Sequence, residues 1–275
     1  RSSAASDAYK RQGMETVNRI LQEKITARIA PNKAVLIFGA RRVGKTVMMR
    51  KIVDNYSGRT MMLNGEDYDT LALLENRSIA NYRHLLDGID LLAIDEAQNI
   101  PQIGSILKLI VDEIPGISVL ASGSSSFDLL NKTGEPLVGR STQFLLTPFS
   151  QREIAQTETA LETRQNLEAR LIYGSYPEVV MMENYERKTD YLRDIVGAYL
   201  LKDILAIDGL KNSSKMRDLL RLIAFHLGSE VSYDELGKQL SMSKTTVEKY
   251  LDLLEKVFVI YRLGAYSRNL RKEVT

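Results

Sequence analysis

Eight consecutive residues, Gly39-Ala40-Arg41-Arg42-Val43-Gly44-Lys45-Thr46, have the types and spacing of a phosphate cradle, G-x-x-x-x-G-K-[ST]. The apolar run Val35-Leu36-Ile37-Phe38 precedes them, and Val47–Val53 reads as a helix after them. Strand, glycine loop and helix is the order such a cradle needs. Glycines let backbone N–H groups turn inward on a polyphosphate without Cβ clashes. The helix behind them aims its positive dipole end at the same anion. In this reading Gly39, Ala40, Arg41, Arg42, Val43, Gly44, Lys45, Thr46 and Val47 line the ligand. Lys45 reaches the outer phosphates, and the Thr46 hydroxyl ligates Mg²⁺. One of Arg41 and Arg42 touches phosphate while the other faces solvent. The bland alternative is an ordinary strand-to-helix turn, and the flanks argue against it.

Two acids complete the chemistry. Ile89-Asp90-Leu91-Leu92-Ala93-Ile94 reads as a buried strand by its near-continuous apolarity, and it ends in Asp95-Glu96. Asp95 would hold Mg²⁺ directly or through water. Glu96 would orient and deprotonate an attacking water. A helix N-cap is the other use for Asp95. Ser122 ends the next strand, Ile117–Ala121; it reads either as a hydrogen-bonding partner of that water or of a γ-phosphate, or as a plain turn serine. Arg140, in Gly139-Arg140-Ser141, reads either as a surface arginine or as a finger reaching a γ-phosphate in its own chain or a neighbour's. Such a finger is worth ~10³–10⁵ in rate.

The elements that must position these groups alternate in type. Residues 8–29 read as a helix with Val17, Ile20, Leu21, Ile25 and Ile29 on one face. Strands follow at 35–38, 60–63, 89–94, 117–121 and 143–146, with helices at 47–53, 70–88 and 102–113. This is an α/β pattern: a five-stranded parallel sheet wrapped by helices, a P-loop nucleoside-triphosphatase fold, with ligands beyond the carboxyl ends of the strands. The phosphate loop, Asp95, Glu96 and Ser122 all fall at such ends.

Past Ser150 the texture is helical, with a break at Tyr173-Gly174-Ser175-Tyr176-Pro177, which reads as a lid or linker. Beyond it come a helix over 216–227, a short helix capped by Ser232 and ending at Leu240, a helix capped by Ser243 and running to Lys256, and a strand over 257–263. That is the order of a winged helix-turn-helix. Lys244, Thr245, Thr246 and Lys249 would project from its second motif helix toward DNA, while Glu248 and Asp252 dilute the basic face and leave packing or protein contact as the alternative. The domains expected are therefore 1–30, an N-terminal helix on the core; 31–150, the core; 151–213, the lid; and 214–275, the winged helix.

Composition narrows the classes. Of 275 residues 44% are hydrophobic, enough for a sizeable core, and the net charge is +2. From Lys211 onward the net charge is +4, which permits nucleic acid without demanding it. With no Cys and only His84 and His226, a zinc site is excluded. No run has the length of a membrane span, so a cytoplasmic location without membrane contact is the expectation.

Taken together, these strings resemble the prokaryotic AAA-like ATPases. The resemblance rests on Gly39–Thr46, Ile94-Asp95-Glu96-Ala97-Gln98, Ala121–Ser126, Gly139–Ser150, Tyr173–Val180 and Tyr199–Ile204, in that order. It implies ATP and Mg²⁺ as ligands, Gly39, Gly44, Lys45 and Thr46 as nucleotide contacts, Asp95 and Glu96 as metal and water acids, and Ser122 as a polar sensor. It implies hydrolysis of ATP to ADP and phosphate coupled to lid and winged-helix movement; a nucleotide-holding switch with negligible turnover is the alternative. A homo-oligomer is compatible with it. Family members usually continue into a nuclease-like domain, which lies outside a chain ending at Thr275. The Asp-Glu-Ala-Gln string is also similar to one in helicases, whose other segments are not evident. The absence of an Asn-Lys-x-Asp string mildly favours adenine over guanine.

Overall fold

A computed structural model describes residues 17–124, 137–200 and 213–263. Continuous apolar runs become the central strands. These are β1 (Lys33–Phe38), β3 (Leu91–Asp95) and β4 (Ser118–Gly123), buried apart from Lys33 at the start of β1. β2 (Thr60–Asn64) and β5 (Ser141–Leu145) are more exposed and lie at the edges. The sheet order is β2-β3-β4-β1-β5, and every pairing is parallel. A parallel sheet needs a crossover between neighbours, here helical, and both faces covered.

Helix α1 (Ile20–Thr26) precedes β1, and α2 (Lys45–Asp54) follows the glycine loop. The single helix expected over 70–88 is two, α3 (Tyr68–Glu75) and α4 (Ile79–Leu85). The break falls at Asn76-Arg77-Ser78. There the Ser78 side chain caps α4 by accepting the Asn81 N–H, and the Asn81 amide donates to the carbonyls of Leu73 and Asn76. Short polar side chains compete with the helical ladder, and here they win. Helix α5 (Ile103–Glu113) packs its apolar stripe under β1 and β4.

The helix expected from residue 8 begins at Ile20; residues 8–16 lie outside the described part. Arg19 is extended instead, and its guanidinium donates to the Thr147 carbonyl, lies 3.5 Å from Glu153 and sits 4.8 Å above the Phe149 ring. Burial lowers its pKa, opposed by the Glu153 charge.

After β5 come short helices: α6 (Gln151–Ile154), α7 (Ala160–Gln165), α8 (Leu167–Tyr173), α9 (Pro177–Val180) and α10 (Tyr185–Asp194). Capping boxes at Ser150 and Thr159 open the first two.

The chain divides into two compact units, Arg1–Val196 and Gly197–Thr275. The second holds α11 (Ser213–Phe225), α12 (Tyr233–Leu240) and α13 (Lys244–Lys256) around a core of Leu219, Leu236, Val247, Leu251 and Leu254. Ser241, left-handed at φ 51°, makes the turn between α12 and α13, and Ser243 caps α13. The strand expected over 257–263 is not formed. Val257 is buried in the three-helix core, Phe258 turns at φ 61°, and the Val259 N–H returns to the Leu254 carbonyl at 2.9 Å. An extended segment needs a neighbour for its backbone groups; among the described residues this one spends them on the end of α13. Leu254→Ala should cost about 2–5 kcal/mol, read as lost hydrogen-exchange protection of the α12 and α13 amides.

Candidate nucleotide site

The sheet order builds the site. β4 lies between β1 and β3, with Ile37 opposite Ser122 and Ile94 opposite Ala121. The carboxyl ends of β1, β3 and β4 thereby carry the glycine loop, the two acids and Ser122 to one place. The expected residues of these three segments do meet.

Asp95 is at the centre, 6% exposed. Its Oδ2 accepts the Thr46 hydroxyl at 2.6 Å, and its Oδ1 accepts the Ser122 hydroxyl and the Glu96 N–H. The Glu96 N–H also reaches Ser122 Oγ at 3.2 Å. Ser122 is therefore a working donor to Asp95 rather than a plain turn residue. Glu96 leaves the strand in the left-handed region, φ 49°, and caps a 3₁₀ turn over Ala97–Asn99. Gly65, read from sequence only as the stop of β2, lets this happen. A Cβ there would stand 2.4 Å from the Glu96 carbonyl oxygen.

In the loop, Lys45 is buried, and its Nζ donates to the carbonyls of Gly39 and Ala40, both at 3.0 Å. Gly44 has φ 93°, where a side chain would be strained. A Cβ on Gly39 would lie 2.2 Å from the Leu146 carbonyl oxygen. Val43 is fully buried. Arg42 faces solvent at φ 66° and pairs with Glu178 at 3.3 Å; Arg41 is half-buried. Val47 lines a narrow pocket of about 20 Å³ with Val17, Arg19, Gly44, Phe149 and Pro177.

Arg140 is elsewhere. Its backbone carbonyl accepts from Ala34 at the start of β1, and its guanidinium is held by Asp112 at 2.5 Å. That is the amino end of the sheet, roughly 16 Å of strand from the phosphate loop. Arg140 cannot serve as a finger to the nucleotide of its own chain.

Sequence reading assigned no role to Gln98, Ser124 or Glu178. Gln98 contacts both the Glu96 carboxylate and Ser124, and Glu178 holds Arg42. The spacing Glu96-x-Gln98 was the only local signal; Glu178 is 136 residues from its partner.

The oxygen set suits one small hard cation. Thr46 and Asp95 oxygens stand 2.6 Å apart. Adjacent ligands of an octahedral ion with bonds of about 2.1 Å stand about 3.0 Å apart. Among the described residues no group of three or more His, Cys, Asp or Glu could cage a metal.

A family model described as an AAA domain matches residues 31–155. Residues 31–155 are thus similar to AAA domains. A second model, a domain of unknown function, matches 164–275. Curated relatives include an uncharacterised protein of Methanocaldococcus jannaschii, 20% identical over 268 residues, covering 90% of this chain and 60% of the relative. Another, from Mycobacterium tuberculosis, is 25% identical over 240 residues, covering 86% of this chain and 51% of the relative. The chain thus spans about half to three-fifths of these relatives. Among solved structures, a RuvB variant of Thermotoga maritima aligns at 15% identity and TM-score 0.41, covering 92% of this chain and 89% of that one. At that score the likeness says nothing about activity. Within residues 31–155, Ser122→Ala removes a donor to a buried carboxylate; it should lower stability by about 1.5–3 kcal/mol in denaturant melts.

Proposed function

We propose that the AAA domain binds ATP with Mg²⁺ at the carboxyl ends of β1, β3 and β4 and hydrolyses it to ADP and phosphate. The observation that carries this reading is Asp95 held between Thr46 of the phosphate loop and Ser122 of β4. One buried carboxylate thereby links the loop that would hold phosphate to the strand end that would sense it.

The residues divide the work. Lys45 exchanges the carbonyls of Gly39 and Ala40 for outer phosphate oxygens. Thr46 and Asp95 hold the metal. Mg²⁺, when bound, neutralises charge developing on the transferred phosphoryl group. Glu96 orients the attacking water and takes its proton. Ser122 keeps Asp95 turned to the site.

The segment after β5 is the lid of this reading. Pro177 is the nearest neighbour a Cβ on Gly44 would meet, at 3.9 Å, and Arg42 of the loop pairs with Glu178. A ligand that reshapes the loop would act on α9 through this pair. Burial, then the Glu178 charge, raises the Tyr191 pKa, so that phenol stays neutral through the change.

The second unit supports a nucleic-acid contact. The left-handed turn at Ser241 and the Ser243-capped α13, with Lys244, Thr245 and Lys249 exposed, have the helix-turn-helix order. If DNA is the partner, affinity falls with salt, with a slope set by the phosphates contacted. Salt-independent or absent binding removes this part and leaves protein contact.

Lys45→Ala should abolish binding of a fluorescent ATP analogue. Glu96→Gln should bind it normally and lose roughly 10²–10⁴ in phosphate release. A Glu96→Gln protein that turns over at the wild-type rate removes Glu96 as the base; a wild-type protein that binds ATP without releasing phosphate replaces the hydrolase with a nucleotide-holding switch.

A further inference from the structure

Gln98 sits two residues beyond Glu96, in the 3₁₀ turn over Ala97–Asn99. Its Nε2 lies 2.5 Å from Glu96 Oε2 and 3.2 Å from Ser124 Oγ. Its Oε1 accepts the Ser124 N–H at 3.3 Å. This last contact decides which way the amide points. A backbone N–H only donates, so it requires the carbonyl oxygen of Gln98. The NH₂ end is then forced toward Glu96, whose ionised carboxylate only accepts. With the amide reversed, two acceptors would face each other at the carboxylate and two donors at Ser124.

The backbone of Glu96 is held from the same side, since its N–H reaches Ser122 Oγ at 3.2 Å. Ser122 lies in β4 and Ser124 one residue past its end, and both are buried. β4 therefore holds Glu96 twice, once directly at the backbone and once through Gln98 at the carboxylate. A carboxylate on a left-handed turn with a rotatable side chain has several orientations open to it; a charge-assisted bond to a fixed amide selects one.

We infer that Gln98 is a positioning residue for the hydrolytic base, fixing the Glu96 carboxylate to the end of β4 through Ser124. The inference rests on the reading of Glu96 as that base. Gln98 itself touches neither phosphate nor water in this assignment; it acts through Glu96. Side-chain contacts between an acid and the residue two positions on are not enforced by the strand, so the device depends on Ser124.

The test uses Gln98→Glu, the same shape with the donor removed and a like charge opposite Glu96, and Gln98→Asn, an amide one methylene too short to span both partners. In the full chain, steady-state phosphate release should fall roughly tenfold to a hundredfold, as for loss of an orienting partner outside the reacting shell. KM for ATP and affinity for a fluorescent ATP analogue should stay within about twofold. In a Glu96→Gln background, either Gln98 change should add no further loss, because the group it orients is already gone. Should Gln98→Glu fail to fold, Gln98→Asn carries the measurement. Wild-type turnover in the Gln98 variants, or the same fold-loss in both backgrounds, overturns the inference while leaving Lys45 and Glu96 in their roles. Normal turnover by Glu96→Gln alone overturns the base assignment and this inference with it.

Discussion

One buried carboxylate organises this molecule. Moving a charged Asp out of water costs several kcal/mol unless its oxygens are matched by donors. Asp95 is matched from three directions, by Thr46 at the head of α2, by Ser122 on β4 and by the following backbone N–H at Glu96. Each donor belongs to a different part of the sheet's carboxyl edge. The charge that would serve a metal thus also fixes the relative positions of the glycine loop, the turn at Glu96 and the end of β4.

This arrangement requires β4 to lie between β1 and β3, although it follows both in the chain. Had β1 and β3 been neighbours, Ser122 would have ended on the far side of one of them. The same order separates Arg140 from the site. It opens β5, and in a parallel sheet the start of a strand lies at the edge opposite the strand ends. Proximity in sequence to a strand is therefore no guide to function; the end of the strand is.

Further contacts to the phosphate loop come from outside the sheet. Pro177 against Gly44 and Glu178 on Arg42 bring a segment more than 130 residues downstream onto the phosphate loop. Both contacts fall where the loop backbone is left-handed, at Gly44 and Arg42.

Local pattern determined a good deal by itself. The strand–loop–helix unit, the buried strands, the acids at their ends and the caps at Ser232 and Ser243 are written in runs of ten residues or fewer, and short-range physics decides them. The apolar run over 257–263 shows the limit: its β-branched and aromatic residues suggest a strand, but no described strand accepts it, and it folds onto the three-helix core instead. Only the tertiary structure decided that Arg140 is remote, that Gly65 makes room for the turn at Glu96, and that Gln98 is aimed by Ser124. These depend on which strands are neighbours and on which backbone donor an amide meets. Neither is a property of a residue and its near neighbours in sequence; both arise when distant segments close on one another.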